Sequence, residues 1–289
     1  MAEASTATAR VERAKRLLAS GDLAAARRDA EAILAGAVDR REQAAAHLIL
    51  ASCFEHGHDL GAALAQTGAA IELTPDDPIA HYVNGELQEQ SGDKAAAIAS
   101  VRAAVALDPR LVRARHYLGI LLGESGDTEG AAAAFAETVR LDPAHVRGWN
   151  NLGNTLRTQD RLDEAEAAFA RAVALKPDYW LAVANLASVQ RDAGSLDRAE
   201  ATLREALARA GPAPHRPLLV LLAGILRLRR NLDESVKYYV EAINAAPGDS
   251  ANEWFNLALV LNERNDIAGA RNAYVRARAL DPNNLRALL

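Results

Sequence analysis

The sequence predicts an all-α chain built from about eight copies of one helix-turn-helix unit. Three observations carry this. Of 289 residues, 65 are alanine; prolines return at a near-constant interval; and the residues between them repeat slot by slot. Alanine is the best helix former and lets helices approach closely. Aromatics are only 4%, with one Met and one Cys. A single cysteine leaves no disulfide framework and no multi-cysteine metal site. The net charge of −5 argues against broad nucleic-acid binding.

The helix ends come from the prolines. Pro75, Pro109, Pro143 and Pro177 stand 34 residues apart, and Pro247 and Pro282 stand 35 apart, with Pro212 filling the gap between the two series. The phrase Leu-Asp-Pro ends at Pro109, Pro143 and Pro282, and Leu-Lys-Pro ends at Pro177. Proline cannot continue a helix and biases its predecessor away from helical dihedrals. Each proline therefore marks the same helix end again. Between them sits a turn, Ser125–Asp127 in one copy, Gln159–Arg161 and Ala193–Ser195 in the next two. Each unit is thus two helices of about 13 residues around that turn.

The packing slots repeat as well. A small residue recurs in the first helix (Gly85, Gly119, Gly153, Ala187, Ala258) and another in the second (Ala97, Ala131, Ala165, Ala199, Ala270). The two are expected to face each other where the helices meet. Large residues fill the remaining holes: Phe135, Phe169, Leu203, Tyr239 and Tyr274. The units fall at residues 7–43, 44–77, 78–111, 112–145, 146–179, 180–215, 216–250 and 251–284, one repeat domain over 1–289. In the first, Arg10 and Arg13 occupy normally apolar slots, as expected of a polar cap. Leu285, Leu288 and Leu289 have one-face spacing and are expected to begin a capping helix.

The run Trp149-Asn-Asn-Leu152-Gly153, followed by Ala165, Phe169, Ala172 and Pro177, resembles the tetratricopeptide repeat family. The resemblance covers almost the whole chain. It implies a right-handed α-solenoid superhelix whose first helices line a concave, peptide-binding channel.

Candidate chemistry elsewhere reads as structure. His47 and His81 fall in the slot that Trp149 and Trp254 fill in other repeats, so they read as packing residues. His56 and His58 fall in an inter-helix turn, and Cys53 reads as a small semi-buried residue. No metal site, cofactor or catalytic residue is expected: there is no GxSxG, HExxH or phosphate-cradling glycine loop. Carboxylate pairs such as Asp163-Glu164 and Asp233-Glu234 open second helices, where they suit the positive helix end. The longest apolar stretch, Leu218–Leu226, is too short to span a bilayer. Residues 1–20 lack a signal-peptide core, so a cytoplasmic setting without membrane or nucleic-acid partners is expected.

Function is expected on the channel. With the family's geometry, its first part offers Glu55, Tyr82, Glu86, Glu89, His116, Tyr117 and Glu124, an acidic-aromatic zone. Its middle offers Arg147, Asn150, Asn151, Asn154, Arg157, Asn185 and Arg191. Its last part offers Val220, Leu221, Arg227, Phe255, Asn256 and Leu259, largely apolar. Asn151, Asn185 and Asn256 share one slot, with Leu221 interrupting. An amide carries donors and an acceptor, so a row of them can hold a peptide backbone. This resembles the asparagine ladder of O-linked N-acetylglucosamine transferase repeat domains. A chaperone-type carboxylate clamp fits poorly, because Asn150, Pro217 and Leu221 stand where it wants basic residues.

The sequence thus reads as a scaffold or adaptor binding an extended segment of another protein, with acidic residues over Arg147, Arg157 and Arg191 and an apolar anchor over Val220, Leu221, Phe255 and Leu259. The alternatives are the substrate-recruiting repeat domain of a larger glycosyltransferase or sulfotransferase, and a self-associating structural oligomer.

Overall fold

The computed structural model describes residues 2–36, 38–211 and 215–282. Pro212 and the expected capping fragment with Leu285, Leu288 and Leu289 lie outside the described residues. The chain falls into two compact units, Met1–Pro143 and Ala144–Leu289.

Among the described residues the structure is helices and turns. The first unit holds α1 (Ala2–Ala19), α2 (Leu23–Leu34), α3 (Arg40–His56), α4 (Leu60–Leu73), α5 (Pro78–Gln90), α6 (Lys94–Leu107), α7 (Val112–Glu124) and α8 (Thr128–Leu141). The second holds α9 (Val146–Thr158), α10 (Leu162–Leu175), α11 (Trp180–Asp192), α12 (Leu196–Ala210), α13 (Arg216–Leu228), α14 (Leu232–Ala245), α15 (Ala251–Glu263) and α16 (Ile267–Leu280). Odd-numbered helices are the first of each pair. Each packs most extensively on the even-numbered helix that follows it.

The turn within each pair has a fixed backbone. One residue per turn has positive φ: Gly21, Gly92, Gly126 and Gly194 in four turns, His58, Asp160, Arg230 and Asn265 in the others. Glycine takes this conformation freely, while other residues pay a strain cost. The next residue caps the second helix. Asp22, Asp59, Asp93, Asp127 and Asp266 each accept a hydrogen bond from the backbone N–H three residues on. Arg161, Ser195 and Asn231 occupy that place without a side-chain cap.

The small first-helix residue has a more specific purpose than the sequence suggested. A methyl group on Gly119 would lie 2.7 Å from the Phe135 ring, and one on Gly153 would lie 2.7 Å from Phe169. On Gly85 it would lie 2.5 Å from Val101. The glycine therefore makes room for the large side chain of the second helix, rather than for its alanine. Ala131 and Ala165 are fully buried one turn away. In the first repeat Val11, Ala14, Ala26, Ala30 and Ile33 form the core. Arg13, in the slot of Leu118 and Leu152, is largely solvated and reaches Asp29 at 3.3 Å.

Within each unit, neighbouring first helices also touch: α1 with α3 and α3 with α5, then α9 with α11, α11 with α13 and α13 with α15. Among the described residues, consecutive second helices touch less than these pairs do. Helices drawn together on one side and spread on the other give the odd-numbered side the inner face of the stack.

Candidate functional site

The inner face of the second unit carries the asparagines and arginines singled out above. Their placement divides them. Asn150 does not open onto the face: it is 2% exposed. Its carbonyl accepts a hydrogen bond from the Asn185 amide at 2.9 Å, across the α9–α11 junction. Its own amide approaches the Asn151 carbonyl at 3.5 Å. A buried amide must find partners, and this one finds them on the next repeat and the next residue. Asn151, Asn154, Asn185 and Asn256 are half-buried. Asn185 thus joins the repeats with one N–H, and retains a second N–H and a carbonyl.

The arginines are less available than their spacing suggests. Arg157 donates to Asp192 at 3.0 Å, and Arg191 reaches the same carboxylate at 2.8 Å. One carboxylate serves two guanidiniums, so the trio keeps one net positive charge. Arg227 meets Glu263 at 2.9 Å, and Arg230 shares that partner. Arg147 is exposed and forms no ion pair among the described residues. The sequence reading missed Asp192 and Glu263, because the pairs join residues 35 and 36 apart, at the ends of neighbouring first helices.

Val220 and Leu221 sit at a cleft of about 230 Å³ together with Asn256 and Arg191. Gly224, Ile225 and Tyr239 extend its wall, and Arg227 lies at its edge. Phe255 and Leu259, expected in the same anchor, do not line this cleft; the Phe255 ring packs edge-on against Tyr274, centroids 5.6 Å apart. A methyl group on Gly224 would sit in ordinary contact with the Tyr239 hydroxyl, at 3.6 Å.

The first unit's inner face differs. Tyr82 donates to Glu86 at 2.5 Å, and its ring meets Tyr117 edge-on at 5.9 Å. Arg113 lies over the Tyr82 ring at 4.9 Å. Burial pushes the Glu86 carboxyl above its ordinary range; the Tyr82 hydrogen bond opposes this and the nearby Glu55 adds to it. Burial raises the Tyr117 hydroxyl as well, with Glu89, Glu86 and Glu124 adding to the effect. Glu55 accepts from Gln90 at 2.6 Å and Glu124 pairs with Lys94 at 2.8 Å.

The histidines and the cysteine have structural partners. His47 meets Gln66 at 2.7 Å, His81 meets the Pro75 carbonyl at 2.9 Å, and His56 meets the Ser52 carbonyl at 2.8 Å. The Cys53 thiol points at the Leu23 carbonyl, 3.7 Å away, and burial raises its pKa. Among the described residues, no cluster of three or more His, Cys, Asp or Glu is placed to hold a metal, and no helix is long and apolar enough to cross a membrane.

Paired helices, a glycine-against-aromatic slot and a shared inner face define a helical repeat protein. Family models described as tetratricopeptide repeat match residues 11–78, 58–111 and 118–179, and a second such model matches 156–219. The chain belongs to the tetratricopeptide repeat family. A comparison with curated protein sequences found no significant match. Among solved structures, the chain is similar to PilW, described as a widely conserved type IV pilus biogenesis factor, with 20% identity and a TM-score of 0.60 over 73% of this chain and 96% of that one. It is also similar to the C-terminal part of a repeat protein from Cytophaga hutchinsonii, with 17% identity and a TM-score of 0.59 over 96% and 98%. A third is YrrB, described as having an unusual peptide-binding site, with 17% identity and a TM-score of 0.52 over 65% and 95%. At these identities the likeness is one of fold.

Proposed function

We propose that the chain is a protein-interaction scaffold, and that the inner face of its second unit takes an extended segment of a partner protein. The observation that carries this reading is the cleft at Val220, Leu221 and Asn256, sized for one large side chain beside half-buried asparagines. An apolar anchor in a desolvated pocket, with amides beside it for the main chain, is a common way to combine affinity with loose sequence preference. The peptide-binding site described for YrrB is a precedent on the same fold.

The preference for acidic segments is narrower than three arginines would give. Arg157 and Arg191 share Asp192, so that trio keeps one net positive charge and Arg147 supplies a second. The proposed ligand therefore has acidic residues over α9 and α11 and a large apolar residue over α13.

The test is capture of natural partners from cell extract by the intact chain, followed by affinity measurement on the captured segment. Leu221→Asp should abolish binding with little effect on the fold, because the side chain is half-exposed. Asn151→Ala should weaken it roughly tenfold, the scale of a lost hydrogen bond to a ligand. Arg147→Ala should weaken it less, and only at low salt. If a captured partner binds Leu221→Asp and Asn151→Ala as tightly as the parent, it docks elsewhere and the reading fails.

A further inference from the structure

Tyr239 of α14 fills the large second-helix slot that Phe135 and Phe169 fill in α8 and α10. Those two rings are hydrocarbon to the tip, whereas Tyr239 ends in a hydroxyl. The residue is 3% exposed. Among the described residues no hydrogen bond reaches that hydroxyl. A buried hydroxyl ordinarily has a partner, so this one is out of place in a purely structural slot. Burial raises its pKa, against the nearby Arg227 and with Glu253, so it stays a neutral O–H group.

The hydroxyl is aimed into the cleft of the second unit. A methyl group placed on Gly224 would have this oxygen 3.6 Å away and nothing else within 4 Å. The space on the Gly224 side of the ring is therefore open, and Gly224 and Tyr239 both line the cleft of about 230 Å³. The slot of Gly224 holds Glu86, Ile120, Asn154, Ser188 and Leu259 in other first helices, so among these α13 alone leaves it without a side chain.

The other walls are hydrocarbon or already engaged. Val220, Leu221 and Ile225 are apolar. Arg191 is paired with Asp192, and Arg227 with Glu263. While the cleft is open, solvent has access to the hydroxyl. A side chain that fills the cleft removes that solvent. If it is hydrocarbon throughout, the hydroxyl is left without a partner and affinity is lost. If its tip carries an O–H of its own, the two hydroxyls pair, one donating and the other accepting.

We propose that this cleft selects a tyrosine side chain of the partner over phenylalanine or leucine, and that Tyr239 is the residue that makes the selection. The proposal rests on the reading of the cleft as the anchor pocket and names the side chain that the pocket takes.

The test pans a phage-displayed library of random peptides against the full chain, with Leu221→Asp as the counter-selection. Peptides recovered by the parent alone are synthesised with a fluorescein label, and alanine scanning locates the anchor position. Each is then made as a pair of twins, with tyrosine or phenylalanine at that position. Anisotropy titration should show the tyrosine twin binding roughly tenfold tighter to the parent. Tyr239→Phe should bring the twins to equal affinity, closing a double-mutant cycle on the two hydroxyls. Thermal unfolding of Tyr239→Phe should match the parent, because Phe135 and Phe169 already occupy this slot, buried. Twins that bind the parent equally, or a tyrosine preference that survives in Tyr239→Phe, overturn the selection and leave the anchor pocket standing. A library that yields no peptide dependent on Leu221 overturns both.

Discussion

The two units repeat the same interior slots and carry different faces. In the first, Gly119 admits Phe135 beneath a surface of Tyr82, Glu86 and Tyr117. In the second, Gly153 admits Phe169 at the same 2.7 Å, beneath a surface of asparagines and paired arginines. The contrast separates two kinds of constraint. Interior slots are fixed by volume, because a close-packed interior leaves no alternative. Face slots are free to vary, and their charge sets what each unit can hold. Substitutions in the interior should therefore act alike in both units, and substitutions on the face should not.

The largest effects belong to the interior. Ala131 and Ala165 are fully buried at equivalent places. Ala131→Leu and Ala165→Leu should each cost roughly 1–3 kcal/mol by overpacking. Chemical denaturation with a probe in each unit would check this. If one substitution is silent while the other is not, the two units do not share an interior register.

A comparable loss is expected at Asn185. Its amide is the donor for the buried Asn150 carbonyl. Asn185→Ala leaves that carbonyl without it, at about 1–3 kcal/mol. Asn154→Ala, with no hydrogen bond to a neighbouring repeat among the described residues, should be close to neutral. Equal stability of the two variants in thermal melts would mean that the cross-repeat pair contributes nothing.

These cases also show how much the residues disclose in advance. Spacing alone places the helices, the turns and the buried alanines, because each signal recurs in many copies. The same copies hid Asn150: it neighbours Asn151 in sequence, and only the approach of α11 to α9 turns it into a buried acceptor. The pairing of Arg157 and Arg191 on Asp192 was equally silent, since it joins helix ends in different repeats.

Two carboxylates extend the comparison to pH. Burial alone would raise Glu200, but hydrogen bonds from Arg204 and Arg229 outweigh it and hold the carboxyl below its ordinary value. Its contribution is present above the unfolded pKa and is lost as pH falls through the depressed folded value. Glu86 has the opposite sign. Burial raises it, so the folded chain binds its proton more tightly, and stability falls as pH rises from the unfolded value through the folded one. At neutral pH, Glu86→Gln should raise the melting temperature and Glu200→Gln should lower it. Both differences should shrink on acidification below the ordinary carboxylate range. Shifts of the same sign would refute the assignment of burial to one carboxylate and pairing to the other.

The smallest expected effect tests whether the glycines are there for room or by default. Gly68 lies inside α4, and a methyl group placed on it meets nothing within 4 Å. Gly153 lies inside α9, and its methyl would press into the Phe169 ring at 2.7 Å. Both positions would gain the same helix propensity from alanine, about 0.5–1 kcal/mol. At Gly68 nothing opposes that gain, so Gly68→Ala should stabilise by that amount. At Gly153 the ring must move, and Phe169 is fully buried in a close-packed interior. Gly153→Ala should therefore destabilise, and Gly119→Ala should match it, because Phe135 stands at the same distance. Combining Gly153→Ala with Phe169→Leu would replace the ring by a smaller side chain, as the natural pair Ala187 and Leu203 does in the next repeat. The double variant should recover part of the loss. If it is instead as unstable as the sum of its parts, the glycine and the aromatic are not coupled, and the slot is set by the helix backbone alone.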